Sequence, residues 1–161
     1  MLSGEYRSHL YFRSEKDYTP LGTKSKDTLK IVHVQLIPIY GVSIPILIRT
    51  GEVNVSTSLS DLKLDKSVDS TLNLKVAINR TGNISVNGDI IVDYIPVKGK
   101  PSEIGKVKSV AVYTVNSKRL VSIKLNITPG MDLTHGILKV RYTSADNTKK
   151  QEVFSEAELK L

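Results

Sequence analysis

"YGVSIPILIRTG", residues 40–51, alternates like a strand and breaks its own pattern with a proline. Val42, Ile44, Ile46 and Ile48 fall on one parity, and successive strand residues point to opposite faces, so the four share a face. Pro45 lacks a backbone N–H and removes one ladder donor in the middle of that run. Extending the parity upstream makes the even positions Val32, Val34, Leu36, Pro38 and Tyr40, while the odd positions mix Ile31, His33, Gln35, Ile37 and Ile39. One continuously apolar face beside a mixed one is the pattern of a strand with one side on a core. Seventeen residues from 32 to 48 would span about 55 Å, much longer than an ordinary strand. The stretch 29–49 is therefore expected to bend or to serve more than one sheet. Pro38, Gly41 and Pro45 are the candidate bend points, and the prolines belong at an edge or a bulge.

Around this stretch the 161 residues read as all-β. Hydrophobic residues make up 40% and charged residues 24%, enough apolar matter for a core, and no segment sustains a helical period. The segment 4–13, "GEYRSHLYFR", reads as a strand, and the polar stretch Ser14–Thr28 with Pro20 and Gly22 as a long loop. From residue 52 onward, short alternating runs are spaced by turn residues. They lie around 53–59, 72–78, 84–95, 106–114, 119–127, 136–143 and 151–160, with a turn expected at "NRTGN", 79–83. Seven strands in that length match an immunoglobulin-like β-sandwich, although periodicity alone also admits a jelly roll or a small barrel. The chain thus divides into a complete domain over 52–161 and a two-strand piece over 1–50, too small to bury a core alone.

Composition excludes several classes of function. Cysteine is absent, which removes disulfides, thiolate catalysis and Cys-ligated zinc. No apolar run approaches the roughly 20 residues of a membrane helix, so no membrane insertion is expected. Residues 1–6, "MLSGEY", carry neither the basic start nor the apolar run of an export signal. The net charge of +7 is spread over Lys24/Lys26/Lys30, Lys98/Lys100/Lys106/Lys108 and Lys118/Arg119, in or beside expected turns and without interleaved aromatics. Solvated loops and lysine-guarded edges explain it better than nucleic acid does.

Catalytic chemistry is not visible. His9, His33 and His135 are far apart and lack metal-ligand spacing, so no metal or cofactor is expected. Asp61, Asp65 and Asp69 recur every four residues but lack the glycine and terminal glutamate of a calcium loop, and read as turn formers. No phosphate-binding loop or nucleophile elbow occurs, and no serine stands beside a histidine that could activate it. The chain is expected not to be an enzyme. Four N-x-[ST] triplets, at Asn54, Asn79, Asn83 and Asn126, are unremarkable in so Asn/Ser/Thr-rich a sequence.

"GEYRSHLYFR", "IPIYGVSIPILIRTG", "NRTGNISVNGDI", "AVYTVNSKRLVSIKL" and "EVFSEAELKL", in this order, resemble the later part of a pilus-assembly periplasmic chaperone of the chaperone–usher type, in a divergent branch. The resemblance covers nearly the whole chain. It implies two immunoglobulin-like domains in the periplasm, the last strand of the first lending itself to an incomplete pilus subunit by donor-strand complementation. Subunits held this way are kept from edge-to-edge aggregation until an outer-membrane usher takes them.

On that resemblance the subunit-binding donor residues are Val32, Val34, Leu36, Pro38 and Tyr40. Val42, Ile44, Ile46 and Ile48 would pack in the chaperone's own interior, and Arg49 would sit at the domain junction. Two departures stand out. A lysine that anchors the subunit's terminal carboxylate is replaced here by Pro45, and the five strands that would open the first domain are missing. The partners implied are pilus subunits and an usher, with homo-oligomerisation through exposed strands a further expectation. The competing expectation is a structural or adhesive immunoglobulin-like surface or pilus component that assembles by strand pairing, in which all nine even residues face a permanent core.

Overall fold

The computed structural model describes residues 2–15, 38–66, 71–128, 130–144 and 152–161. Among the described residues, nine strands run in chain order: β1 (Gly4–Arg13), β2 (Gly41–Thr50), β3 (Val55–Lys66), β4 (Leu72–Gly82), β5 (Val86–Ile95), β6 (Ser102–Val112), β7 (Lys118–Lys124), β8 (Ile137–Ser144) and β9 (Val153–Lys160). They form three sheets, ordered β1-β2, β3-β4-β7 and β6-β5-β8-β9. The chain divides into two compact units, one of residues 1–5 with 49–161 and one of residues 6–48.

The larger unit is a seven-strand antiparallel sandwich of three strands against four, the all-β immunoglobulin-like architecture expected from the sequence. Its core follows from parity. Leu74, Val76 and Ile78 of β4, Ile90, Val92 and Tyr94 of β5, and Leu138, Val140 and Tyr142 of β8 occupy alternate positions and are buried. Register keeps them in layers: Ile90 lies opposite Tyr142, Val92 opposite Val140, Tyr94 opposite Leu138, and Leu74 opposite Ile123. The Tyr142 ring meets Phe154 edge-on at 5.5 Å, and its hydroxyl donates to the Val110 carbonyl at 2.7 Å, satisfying a buried polar group. Burial pushes the Tyr142 phenol up to about 12, so it stays protonated and keeps donating.

Several local expectations are corrected. Asp61 and Asp65 are not turn residues; both lie within β3. Asp61 sits at φ +55° where the β3–β4 register slips between Ser60 and Lys63, so its short side chain serves a bulge. Both carboxylates pair with lysines at 2.6 Å, Asp65 with Lys75 of the adjacent β4 and Asp61 with Lys118 of β7, one strand further across the sheet. Asp69 lies outside the described residues. The turn expected over 79–83 is mostly strand, because β4 stays paired with β3 as far as Gly82. β6 begins at Ser102, earlier than alternation indicated, since glycine at 105 leaves a gap in the pattern. Lys106 and Lys108 on β6 and Lys118 and Arg119 on β7 lie on strands that have one sheet neighbour among the described residues, where charge discourages foreign pairing.

Strands β1 and β2 form a two-stranded ribbon. The Ser14 N–H donates to the Tyr40 carbonyl at one end, and the Thr50 hydroxyl to the Leu2 carbonyl at the other, so the strands run antiparallel. Opposed residues share a face, which places Tyr6, Ser8, Leu10 and Phe12 with Val42, Ile44, Ile46 and Ile48. Arg7, His9, Tyr11 and Arg13 share the other face with Ser43, Pro45 and Leu47. The interior packing expected for Val42, Ile44, Ile46 and Ile48 is not what the chain forms. Together with Tyr6, Leu10 and Phe12 they are 39 to 60% exposed, because no described element covers that face of the ribbon.

Candidate functional site: an anchored, uncovered ribbon

The root of the ribbon is held by an ion pair set in hydrogen bonds. Glu5, the second residue of β1, has a side chain only 1% exposed, and Arg49 near the end of β2 reaches it through Nε and Nη2, both 3.1 Å from Oε2. Ser85, in the β4–β5 connection, completes the arrangement. Its hydroxyl lies 2.6 and 2.7 Å from the two carboxylate oxygens, and its N–H donates to Oε2 at 3.2 Å. Burial would raise the Glu5 carboxyl, but the bonds from Ser85, followed by those from Arg49, outweigh it and hold the group below its usual value.

The same connection stitches the segment that follows β2. The Glu5 N–H donates to the Asn83 carbonyl at 3.1 Å, and the Asn83 N–H to the Asn54 carbonyl at 3.0 Å. The Asn83 side chain accepts from the Asn54 N–H and donates to the Glu52 carbonyl, both at 2.8 Å. Two glycines permit this closeness. Gly51 (φ +65°) faces Ser3, and Gly82 (φ +105°) faces the Asn54 carbonyl, and a Cβ at either would lie 2.2 to 2.3 Å from those atoms.

This latch has a pH signature. A carboxyl that titrates below its unfolded value of 4.5 adds stability that is present above that value and lost as pH falls through the lowered one. Thermal melts of Glu5→Gln against the parent chain are therefore expected to differ most at pH 6–7 and to converge towards pH 3. A constant difference across that range would remove the latch from the account.

Of the sequence-derived site residues, Val32, Val34 and Leu36 lie outside the described residues. Pro38 and Tyr40 are described and exposed, Tyr40 at 72%, and they precede β2, which begins at Gly41. Tyr40 is tied to the end of β1 twice, since its carbonyl accepts from the Ser14 N–H and its own N–H donates to Ser14 Oγ at 3.0 Å. Arg49 stands at the boundary between the two units and carries the ion pair. The roles of Glu5 and Ser85 were missed. Glu5 sits inside the quoted "GEYRSHLYFR", and the carboxylate at a strand root, matched by an arginine at the root of the next strand, was the available signal.

A second polar cluster occupies one end of the sandwich. The Tyr94 hydroxyl lies against the Asp132 and His135 carbonyls, where the β7–β8 connection folds beneath β5. Thr134 donates its N–H (2.8 Å) and its hydroxyl (2.6 Å) to Asp132 Oδ1, holding that carboxyl below its usual range. A hydroxyl has one proton, so the 2.8 Å contact with His135 Nδ1 is a bond donated by the ring. Adjoining clefts of about 430 and 440 Å³ share Tyr94, Pro96, Lys98 and Asp132. The bonds close a turn on itself, and among the described residues no three metal-ligating side chains gather here or elsewhere.

No protein-family model and no curated protein sequence matches the chain. Among solved structures it is similar to the crystal structure of DesR, a β-glucosidase from Streptomyces venezuelae in complex with D-glucose, at 10% identity and a TM-score of 0.42. The match covers 66% of this chain and 15% of the glucosidase, so the chain spans a small part of that enzyme's length. A likeness of this size carries neither an activity nor a substrate to the present protein.

Proposed function

We propose that this chain is a pilus-chaperone-like binding module that stabilises incomplete pilus subunits in the periplasm by lending strand, and passes them to an outer-membrane usher. The observation that carries the reading is the uncharged face of the β1–β2 ribbon, exposed along its whole length. Two ten-residue strands present a face of about 33 by 10 Å, or roughly 330 Å². Burying it would contribute on the order of 8 kcal/mol before association costs of comparable size. A stable interface needs about 800 Å² per partner. Face packing alone is too small, and a suitable partner also adds backbone pairing, as strand addition does. The donor segment Val32–Tyr40 leads directly into this ribbon in sequence, and the resemblance to chaperones assigns it the lending role.

The test is capture of a pilus subunit that lacks its own final strand, by the full chain and by Leu36→Asp. Capture is expected to fall at least a hundredfold, with melting of the sandwich unit unchanged. Normal capture by the variant removes the proposal. A permanent homo-oligomer whose assembly alone depends on Leu36 would favour the structural component instead.

A further inference from the structure

The two clefts at the end of β5 adjoin to form one trough, since they share Tyr94, Pro96, Lys98 and Asp132. One wall is the β5–β6 connection, residues 96–101, and the other is the β7–β8 connection. The second wall is fastened to strands on both sides. The Tyr94 hydroxyl lies against the Asp132 and His135 carbonyls, and the Asn126 N–H donates to the Ile104 carbonyl of β6 at 2.7 Å. Gly136 (φ +125°) closes on β5, where a Cβ would lie 2.7 Å from the Ile95 carbonyl. This wall is therefore set before any ligand arrives, which lowers the cost of binding. At about 430 and 440 Å³, each cleft has the size of a small-molecule site, about 300–1,000 Å³.

Chemistry changes along the trough. One cleft has the apolar surfaces of Pro96 and the exposed Val97, and the other adds Lys100, Ser102 and Thr128, with Lys98 bordering both. Neither Lys98 nor Lys100 pairs with a carboxylate among the described residues. The carboxylate that lines the trough, Asp132, has its Oδ1 occupied by the two Thr134 donors. We propose that this trough binds a small amphipathic anion, its acidic group held by Lys98 and Lys100 and its short apolar body laid against Pro96 and Val97. A cationic ligand would meet two lysines and a carboxylate already engaged. A neutral sugar would leave both ammonium groups uncompensated and find no aromatic platform, because Tyr94 is 6% exposed. The trough belongs to the sandwich unit, and its ligand is independent of strand lending.

The test is a heteronuclear NMR titration of the full chain with hexanoate, alongside acetate for the acidic group alone and hexanol for the apolar body alone. Hexanoate is expected to shift the amides of Val97–Lys100 and Thr134–His135 with a dissociation constant of about 1–10 mM, as a ligand of this size allows. Acetate and hexanol should each bind at least about fivefold more weakly. Hexyl phosphate should shift the same amides, and the tighter of the two anions names the acidic group. Lys98→Gln with Lys100→Gln should weaken hexanoate about tenfold, the sum of two exposed charge pairs. Lys106→Gln with Lys108→Gln, the same loss of charge on β6, should leave binding unchanged. All four lysines are exposed, so both variants should melt with the parent. No shift at these amides with either anion, acetate or hexanol binding as tightly as hexanoate, or both lysine pairs having the same effect would overturn the inference.

Discussion

Replacing Arg80 by methionine is expected to destabilise the sandwich by roughly 3 kcal/mol, a fall in melting temperature of about 12 °C for a unit of this size. Arg80 is only 6% exposed, and no described carboxylate pairs with it. Its guanidinium is satisfied by main-chain carbonyls instead. Nη1 donates to Gly82 and Ile84 at 2.8 and 2.9 Å, Nη2 to Thr114 at 3.0 Å, and Nε to Asn116 at 3.2 Å. These bonds tie the β4–β5 connection to the β6–β7 connection. Methionine fills similar space but leaves four carbonyls to find other donors. Lysine keeps the charge but cannot present the fork of donors, so Arg80→Lys should recover less than half of the loss. Chemical denaturation of the three proteins, followed by tyrosine fluorescence or circular dichroism, measures both values.

The second large effect separates binding from stability. Ile46→Asp places a charge at the middle of the exposed ribbon face. In a covered core this change would cost several kcal/mol through an unpaired buried charge. On an exposed face it should move melting of the sandwich by less than about 0.5 kcal/mol. Partner capture should fall at least a hundredfold, because the bound state would bury that carboxylate. Loss of sandwich stability comparable to a core substitution would mean that the face is permanently covered.

Legibility followed parity. β1 was readable to the residue, since "GEYRSHLYFR" corresponds to Gly4–Arg13, and the buried triads of β4, β5 and β8 were readable because each repeats at two-residue spacing. The bulge at Asp61 was not, because a slip in pairing depends on the opposite strand and not on local pattern. Arg80 was hidden for a related reason. Within "NRTGN" it looks like one more polar turn residue, and its partners at 114 and 116 come from a distant connection. Pro45 was legible as an interruption, but not that it costs the ribbon no ladder bond, since which way its missing N–H would point depends on the pairing of residues 14 and 40. Exposure of Val42, Ile44, Ile46 and Ile48 could not be read either, because alternation reports which residues share a face and not whether anything covers it.

Amide hydrogen exchange on the full chain, with and without a captured subunit, tests the ribbon's role most directly. The account expects the amides of Tyr6–Arg13, Val42–Ile44 and Ile46–Ile48 to exchange orders of magnitude faster than those of Val76, Val92 and Val140 in the isolated protein, and to gain at least a hundredfold protection on capture. Ribbon amides as slow as the sandwich core before any partner is added would contradict it.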